Sequence, residues 1–87
     1  MPETVWKPHT TVAAMCERDG KFLLVKEKVG DKIAFNQPAG HLEADESLLD
    51  AVVRETLEET QYEFTPTGLL GIYRSIPEDA PEITYLR

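Results

Sequence analysis

The sequence holds one cysteine, Cys16, among its 87 residues. A single thiol cannot build a disulfide framework, so a reducing, cytoplasmic compartment fits best. Cys16 lies in the apolar-leaning run TTVAAMC. A small buried side chain is a plainer reading there than a nucleophile, because no catalytic context surrounds it. Long apolar runs are missing too. The N-terminal MPETVWKPHTT lacks the apolar core of a signal peptide, and nowhere do ~18 apolar residues run together. Neither secretion nor membrane insertion is indicated. Basic residues are scarce: 9 Lys and Arg stand against 16 Asp and Glu, for a formal charge of −7. No Lys/Arg stripe is long enough to track a phosphate backbone, which argues against binding DNA or RNA. There is no internal repeat, low-complexity tract or linker.

What is present suits one soluble domain, 41% hydrophobic and 29% charged. A domain of this size buries only about 60% of its unfolded surface, so one core is expected and stability is marginal. The runs TTVAAMCE and KFLLVKEK flank RDG. Asp19-Gly20 is a favoured hairpin turn, which predicts a β-hairpin over 10–17 and 21–28. VGDK makes a second turn, IAFNQ a short strand ending at Pro38, and PAGHLEADE an irregular loop. From Ser47 to Gln61 there is no Gly or Pro, and Leu49, Val53, Thr56 and Leu57 recur at helical spacing with Leu48 and Val52 beside them. Ser47 is positioned as the N-cap of that helix, with Asp50 three residues on. TGLLGIYRSI and EITYLR then read as strands joined by the Pro-bounded loop PEDAP.

The helix is unusually acidic. Glu55, Glu58 and Glu59 lie within about 100° of one another on the helical wheel, at the edge of the apolar face. Like charges at this spacing cost about 0.2–0.5 kcal/mol per pair, and the helix dipole is negative in the last turn, where Glu58 and Glu59 sit. A solvated acidic face would carry interspersed lysines, yet none occurs between Gly40 and Glu63, where Arg54 is the single Lys or Arg. A hard divalent cation would resolve the repulsion, because Mg²⁺ takes carboxylate oxygens, keeps several waters and completes its shell with substrate phosphates.

Gly40, five residues, Glu46, seven residues, Arg54-Glu55, Thr56, Leu57 and Glu58-Glu59 reproduce the Nudix box. Six positions fixed in type and spacing coincide by chance in about one window in 10⁷ at average residue usage. The chain therefore resembles the Nudix hydrolases, with box 40–62 in a single domain over 1–87. KPHTTVAA, GKFLLVKE and FNQPAGHLEADESL look like the NudJ-type subgroup of bacterial enzymes acting on nucleoside di- and triphosphates and phosphorylated thiamine precursors.

The resemblance implies an α/β/α sandwich with a mixed sheet, of which this chain would be the N-terminal portion. It implies Mg²⁺, or Mn²⁺, held by Glu55, Glu58, Glu59 and the Gly40 carbonyl. The reaction implied is hydrolysis of a phosphoanhydride in a small diphosphate-containing substrate, with one of these carboxylates or a later one activating water. Arg54 would pair with Glu46 or Glu55 and hold a ligand oriented, without touching substrate. Two positions depart from the family pattern. Gln61 replaces a glycine that would let the chain leave the helix through a left-handed conformation. Thr56 stands where an aliphatic residue is usual, as a substitution at the core edge. His9 and His41 lack metal-ligand spacing, and Trp6 and Phe35 suit a core or rim role better than stacking on a nucleobase. Two other classes remain: a nucleotide-sensing or partner-binding Nudix domain without turnover, and a plain α/β interaction domain with an acidic face. The sequence stops at Arg87 directly after strand-like EITYLR. Nudix domains resembling it are roughly half again as long, so the 87 residues are expected to self-associate or to be a fragment, with activity weak or absent.

Overall fold

A computed structural model describes residues 5–87. Its elements run β1 (His9–Ala13), β2 (Glu17–Arg18), β3 (Lys21–Phe22), β4 (Val25–Val29), β5 (Lys32–Asn36), β6 (Ala39–His41), α1 (Leu48–Thr60), β7 (Arg74–Ser75) and β8 (Tyr85–Leu86). Four strands form one sheet in the order β6-β1-β8-β7, with β1 antiparallel to β6 and parallel to β8. The sheet is therefore mixed, and α1 lies across β6 and β1.

Turn chemistry acts where expected. Asp19 and Gly20 both take positive φ, 54° and 77°, and pair Glu17 with Phe22 across a two-residue loop. The hairpin is much shorter than the predicted 10–17 and 21–28, because the chain leaves strand geometry between Ala14 and Cys16 and again at Leu23 and Leu24. Gly30 at φ 62° closes the second hairpin, β4–β5. The segment after Pro38 is not all loop: Ala39–His41 form β6, paired with Thr11, Val12 and Ala13 of β1. Of TGLLGIYRSI only Arg74–Ser75 is strand, although Tyr73 continues the ladder through two backbone hydrogen bonds with Arg87, at 2.6 and 2.8 Å.

Helix α1 begins and ends on identifiable caps. The Ser47 hydroxyl accepts from the Asp50 amide at 3.0 Å. At the other end Gln61 adopts φ 64°, and its amide donates to the Leu57 carbonyl at 2.8 Å. The left-handed exit thus forms without glycine, at a conformational cost of about 1 kcal/mol. The buried stripe differs from the wheel. Ala51, Val52 and Thr56 are buried, whereas Leu48, Leu49 and Leu57 are exposed and Val53 is half-buried. Only one narrow side of α1 meets the sheet. Thr56 is not at the core edge but wholly inside, and its hydroxyl has no hydrogen-bond partner among the described residues.

The core is small, built on Val12, Ala14, Ala51 and Val52 with Cys16, Leu42 and Phe64 packed against it. Burial pushes the Cys16 thiol pKa up, which suits a packing role rather than a nucleophile. Trp6 and Phe35 are exposed and contribute nothing to this core. Leu69, Leu70, Ile72 and Ile76 are also exposed. The Cα radius of gyration is 14.9 Å, against about 12 Å for a compact domain of this length. No helix among the described residues is long and apolar enough to cross a membrane.

Candidate active site

Strand β6 and helix α1 bring the motif together. Because Val12 pairs with Gly40, the Gly40 Cα faces the helix, and a side chain there would overlap the Glu55 carboxyl group. Glycine is required for this close approach rather than for an unusual φ. One residue earlier, the Ala39 amide donates to Glu59 Oε1 at 2.8 Å. Two of the three helix glutamates are therefore fixed to one short strand.

Arg54 ties the others. Its Nε donates to Glu46 Oε2 at 2.6 Å and its Nη2 to Glu46 Oε1 at 3.0 Å, a bidentate pair. Nη2 also reaches the His41 carbonyl at 3.1 Å. Nη1 meets Glu55 Oε1 at 2.8 Å, both Glu58 oxygens at 3.4 Å and Glu43 Oε1 at 3.5 Å. Three carboxylates thus approach a single nitrogen. Arg54, Glu46 and Glu55 side chains are 23%, 13% and 15% exposed, while Glu58 and Glu43 stand in solvent. The pair with Glu46, then that with Glu55, raises the Arg54 pKa so far that the guanidinium stays charged at every practical pH. Conversely, Arg54 and then the Glu43 amide, 3.0 Å from Glu46 Oε1, hold the Glu46 carboxyl below the ordinary carboxylate range.

Every residue singled out from the motif therefore enters one constellation. Gly40, Glu46, Arg54, Glu55 and Glu58 are linked directly or through Arg54, and Glu59 lies at its β6 edge. Arg54 pairs with both Glu46 and Glu55, not with one of them. Glu55 is at the core edge as anticipated, while Glu58 and Glu59 are exposed. Sequence reasoning missed the Ala39 amide, the His41 carbonyl and Glu43. Only the register of β6 against β1 places them, and the Gly-Pro composition of that segment hid the strand.

Among the described residues no three His, Cys, Asp or Glu side chains converge as a ready-made cation cage. The donor set nonetheless suits a hard cation. Glu55 and Glu58 already share a positive centre in Arg54 Nη1, and Mg²⁺ needs only one or two carboxylates beside water and phosphate oxygens.

The family model for the Nudix domain matches residues 6–86. The phosphatase NudJ of Escherichia coli K12 is 43% identical over 83 residues, spanning 94% of this chain and 54% of that protein. The phosphatase NudJ of Shigella flexneri matches to the same extent. The chain spans about half the length of these curated relatives. Among solved structures, a NUDIX hydrolase from Nitrosomonas europaea superposes with a TM-score of 0.85 at 51% identity, covering 93% of this chain and 55% of that one. The E. coli ORF135 protein superposes at 0.77 with 30% identity, covering 92% and 56%.

Proposed function

The chain belongs to the Nudix family, and on that premise we propose that it hydrolyses a phosphoanhydride bond in a small diphosphate-containing substrate, a nucleoside di- or triphosphate or a thiamine-related pyrophosphate. The observation that carries this reading is the meeting of Glu55 and Glu58 at Arg54 Nη1, with Glu55 seated on Gly40. Glu55, Glu58, Glu59 and the Gly40 carbonyl would hold Mg²⁺ or Mn²⁺. Bound there, the ion would neutralise diphosphate charge and acidify a water.

The chain's own residues then have separable tasks. Glu46 grips Arg54 in a fixed fork, so the guanidinium cannot swing into solvent. Arg54 in turn holds Glu55 and Glu58 in position. Either Glu55 or Glu58, by position, can take the proton as water oxygen attacks phosphorus and the bridging P–O bond breaks. A sensing domain without turnover is the second reading. The complete set Glu55, Glu58 and Glu59 weighs against it, since loss of one carboxylate is the simplest sign of an inactive box.

Phosphate release from nucleotides and thiamine phosphates, assayed with Mg²⁺ and with a chelator, tests the proposal. Chelator-sensitive release from any member supports it; none from the whole panel, with the chain folded, sinks it. Self-association is part of the same proposal, because exposed Leu69, Leu70 and Ile72 are ready to recruit a second copy. Light scattering from a monodisperse monomer would remove that part.

A further inference from the structure

A guanidinium carries its N–H donors in a rigid planar fork. In Arg54, Nε is taken by Glu46, and Nη2 is shared between Glu46 and the His41 carbonyl. The two protons of Nη1 are left for three carboxylates: Glu55 at 2.8 Å, Glu58 at 3.4 Å from both its oxygens, and Glu43 at 3.5 Å. Nη1 has more acceptors than protons. Only the Glu55 distance falls within the about 2.7–3.2 Å of a well-made N–H···O bond, so Glu43 stands at ion-pair reach beyond it.

The backbone of Glu43 is pinned on both sides. Before it, Leu42 packs against the core, and its amide donates to the Thr10 carbonyl of β1 at 3.0 Å. After it, Asp45 at φ 63° turns the chain, and the Glu43 amide donates to Glu46 Oε1 at 3.0 Å. One carboxylate, that of Glu46, therefore fixes both the Glu43 backbone and the Arg54 fork. The Glu43 side chain beyond this anchor is 66% exposed and able to move.

We infer that Glu43 is a positioning residue that takes over Arg54 Nη1 when Glu55 and Glu58 turn to a divalent cation. The inference rests on the reading of those two glutamates as cation ligands given above. Because Glu46 and the His41 carbonyl hold the fork, the guanidinium cannot follow the departing carboxylates. Its Nη1 protons would lose their partners beside a second positive charge. Glu43 lies on the loop rather than on α1, so it can close on Nη1 while Glu55 and Glu58 are engaged, at the cost of moving one exposed side chain. It acts through Arg54 and does not itself hold the cation.

The test is calorimetric titration with Mg²⁺ alone of the parent, Glu43→Gln, Asp45→Asn, Arg54→Ala and the double variant of Glu43→Gln with Arg54→Ala. Asp45 is the control for charge: it lies in the same loop, makes no ion pair among the described residues, and asparagine tolerates its positive φ. Glu43→Gln should weaken Mg²⁺ binding about three- to fivefold, the upper range for an exposed ion pair, and Asp45→Asn less than about 1.5-fold. On the Arg54→Ala background Glu43→Gln should change the affinity by less than about 1.5-fold. Unchanged affinity in Glu43→Gln overturns the inference, as does equal weakening in Asp45→Asn, where loss of charge alone suffices. An effect of Glu43→Gln that survives the removal of Arg54 also overturns it, since Glu43 would then be a cation ligand. If the parent binds no Mg²⁺, the cation reading of Glu55 and Glu58 fails and the inference with it. Should Arg54→Ala not fold, Glu43→Gln against Asp45→Asn decides.

Discussion

Gly40 and Glu55 are in direct contact: the Glu55 carboxyl occupies the space a side chain at Gly40 would need. The strand β6 thereby sets where a helix glutamate points. Gly40→Ala should leave α1 and the sheet intact, because the group displaced is the far end of a flexible side chain. Glu55 must move, however, and misplacement of about 1 Å at a reacting centre costs about 10²-fold in rate. Circular dichroism should be unchanged while phosphate release falls to that extent. Parent-like release would show that the seat of Glu55 on Gly40 is dispensable.

Glu46 has its pKa depressed in the folded chain, chiefly by Arg54. A carboxyl that is more acidic folded than unfolded adds stability above its unfolded value, about 4.3, and loses that contribution as pH falls through the folded value. Glu46→Gln should therefore melt below the parent at pH 7. The gap should close as the pH drops below the unfolded value, since protonated Glu46 resembles glutamine. Melting curves across that range check it, and a gap constant with pH would contradict the assignment.

Among the described residues Arg54 is the one cation paired with Glu43, Glu46, Glu55 and Glu58. Removing it leaves these charges uncompensated, and a ligand that binds only the folded state then stabilises by mass action. Arg54→Ala should melt lower than the parent without metal, and Mg²⁺ should raise its melting temperature more than it raises the parent's. An equal or smaller rise would mean that Arg54 does not stand where a cation can.

Thr56 is fully buried, and its hydroxyl has no partner among the described residues. An unsatisfied buried donor costs about 1–3 kcal/mol, so Thr56→Val, which keeps the branched shape, should stabilise the chain by about 1 kcal/mol. Urea unfolding measures this directly. No gain, or a loss, would mean the hydroxyl has a partner in solution.

The legible parts of this molecule were local in origin. The Asp19-Gly20 turn, the Ser47 cap and the span of α1 follow from φ preference, side-chain reach and an uninterrupted helical stretch. The motif glutamates were legible because their spacing is a property of one helix. What escaped depends on partners distant in sequence. Ala39–His41 become a strand because β1 offers a ladder, in spite of the flanking Pro38 and internal Gly40. Leu49 and Leu57 look like core on a wheel, but the sheet meets only the Ala51, Val52 and Thr56 side. Gln61 reaches the left-handed region because helix exit demands it, although nothing in its side chain favours that conformation.

The central claim is that the carboxylates of α1, seated against β6, carry metal-dependent hydrolysis, and Glu59→Gln tests it most directly. The substitution removes a charge while preserving size, helix propensity and an oxygen able to accept from the Ala39 amide. With excess Mg²⁺ and a substrate the parent cleaves, phosphate release should fall by about 10²-fold or more, the scale of losing an electrostatic contribution to the transition state. The melting temperature in chelator should stay close to the parent's. A variant that releases phosphate at a near-parent rate while melting markedly lower would contradict the claim and leave Glu59 only a structural tether to β6.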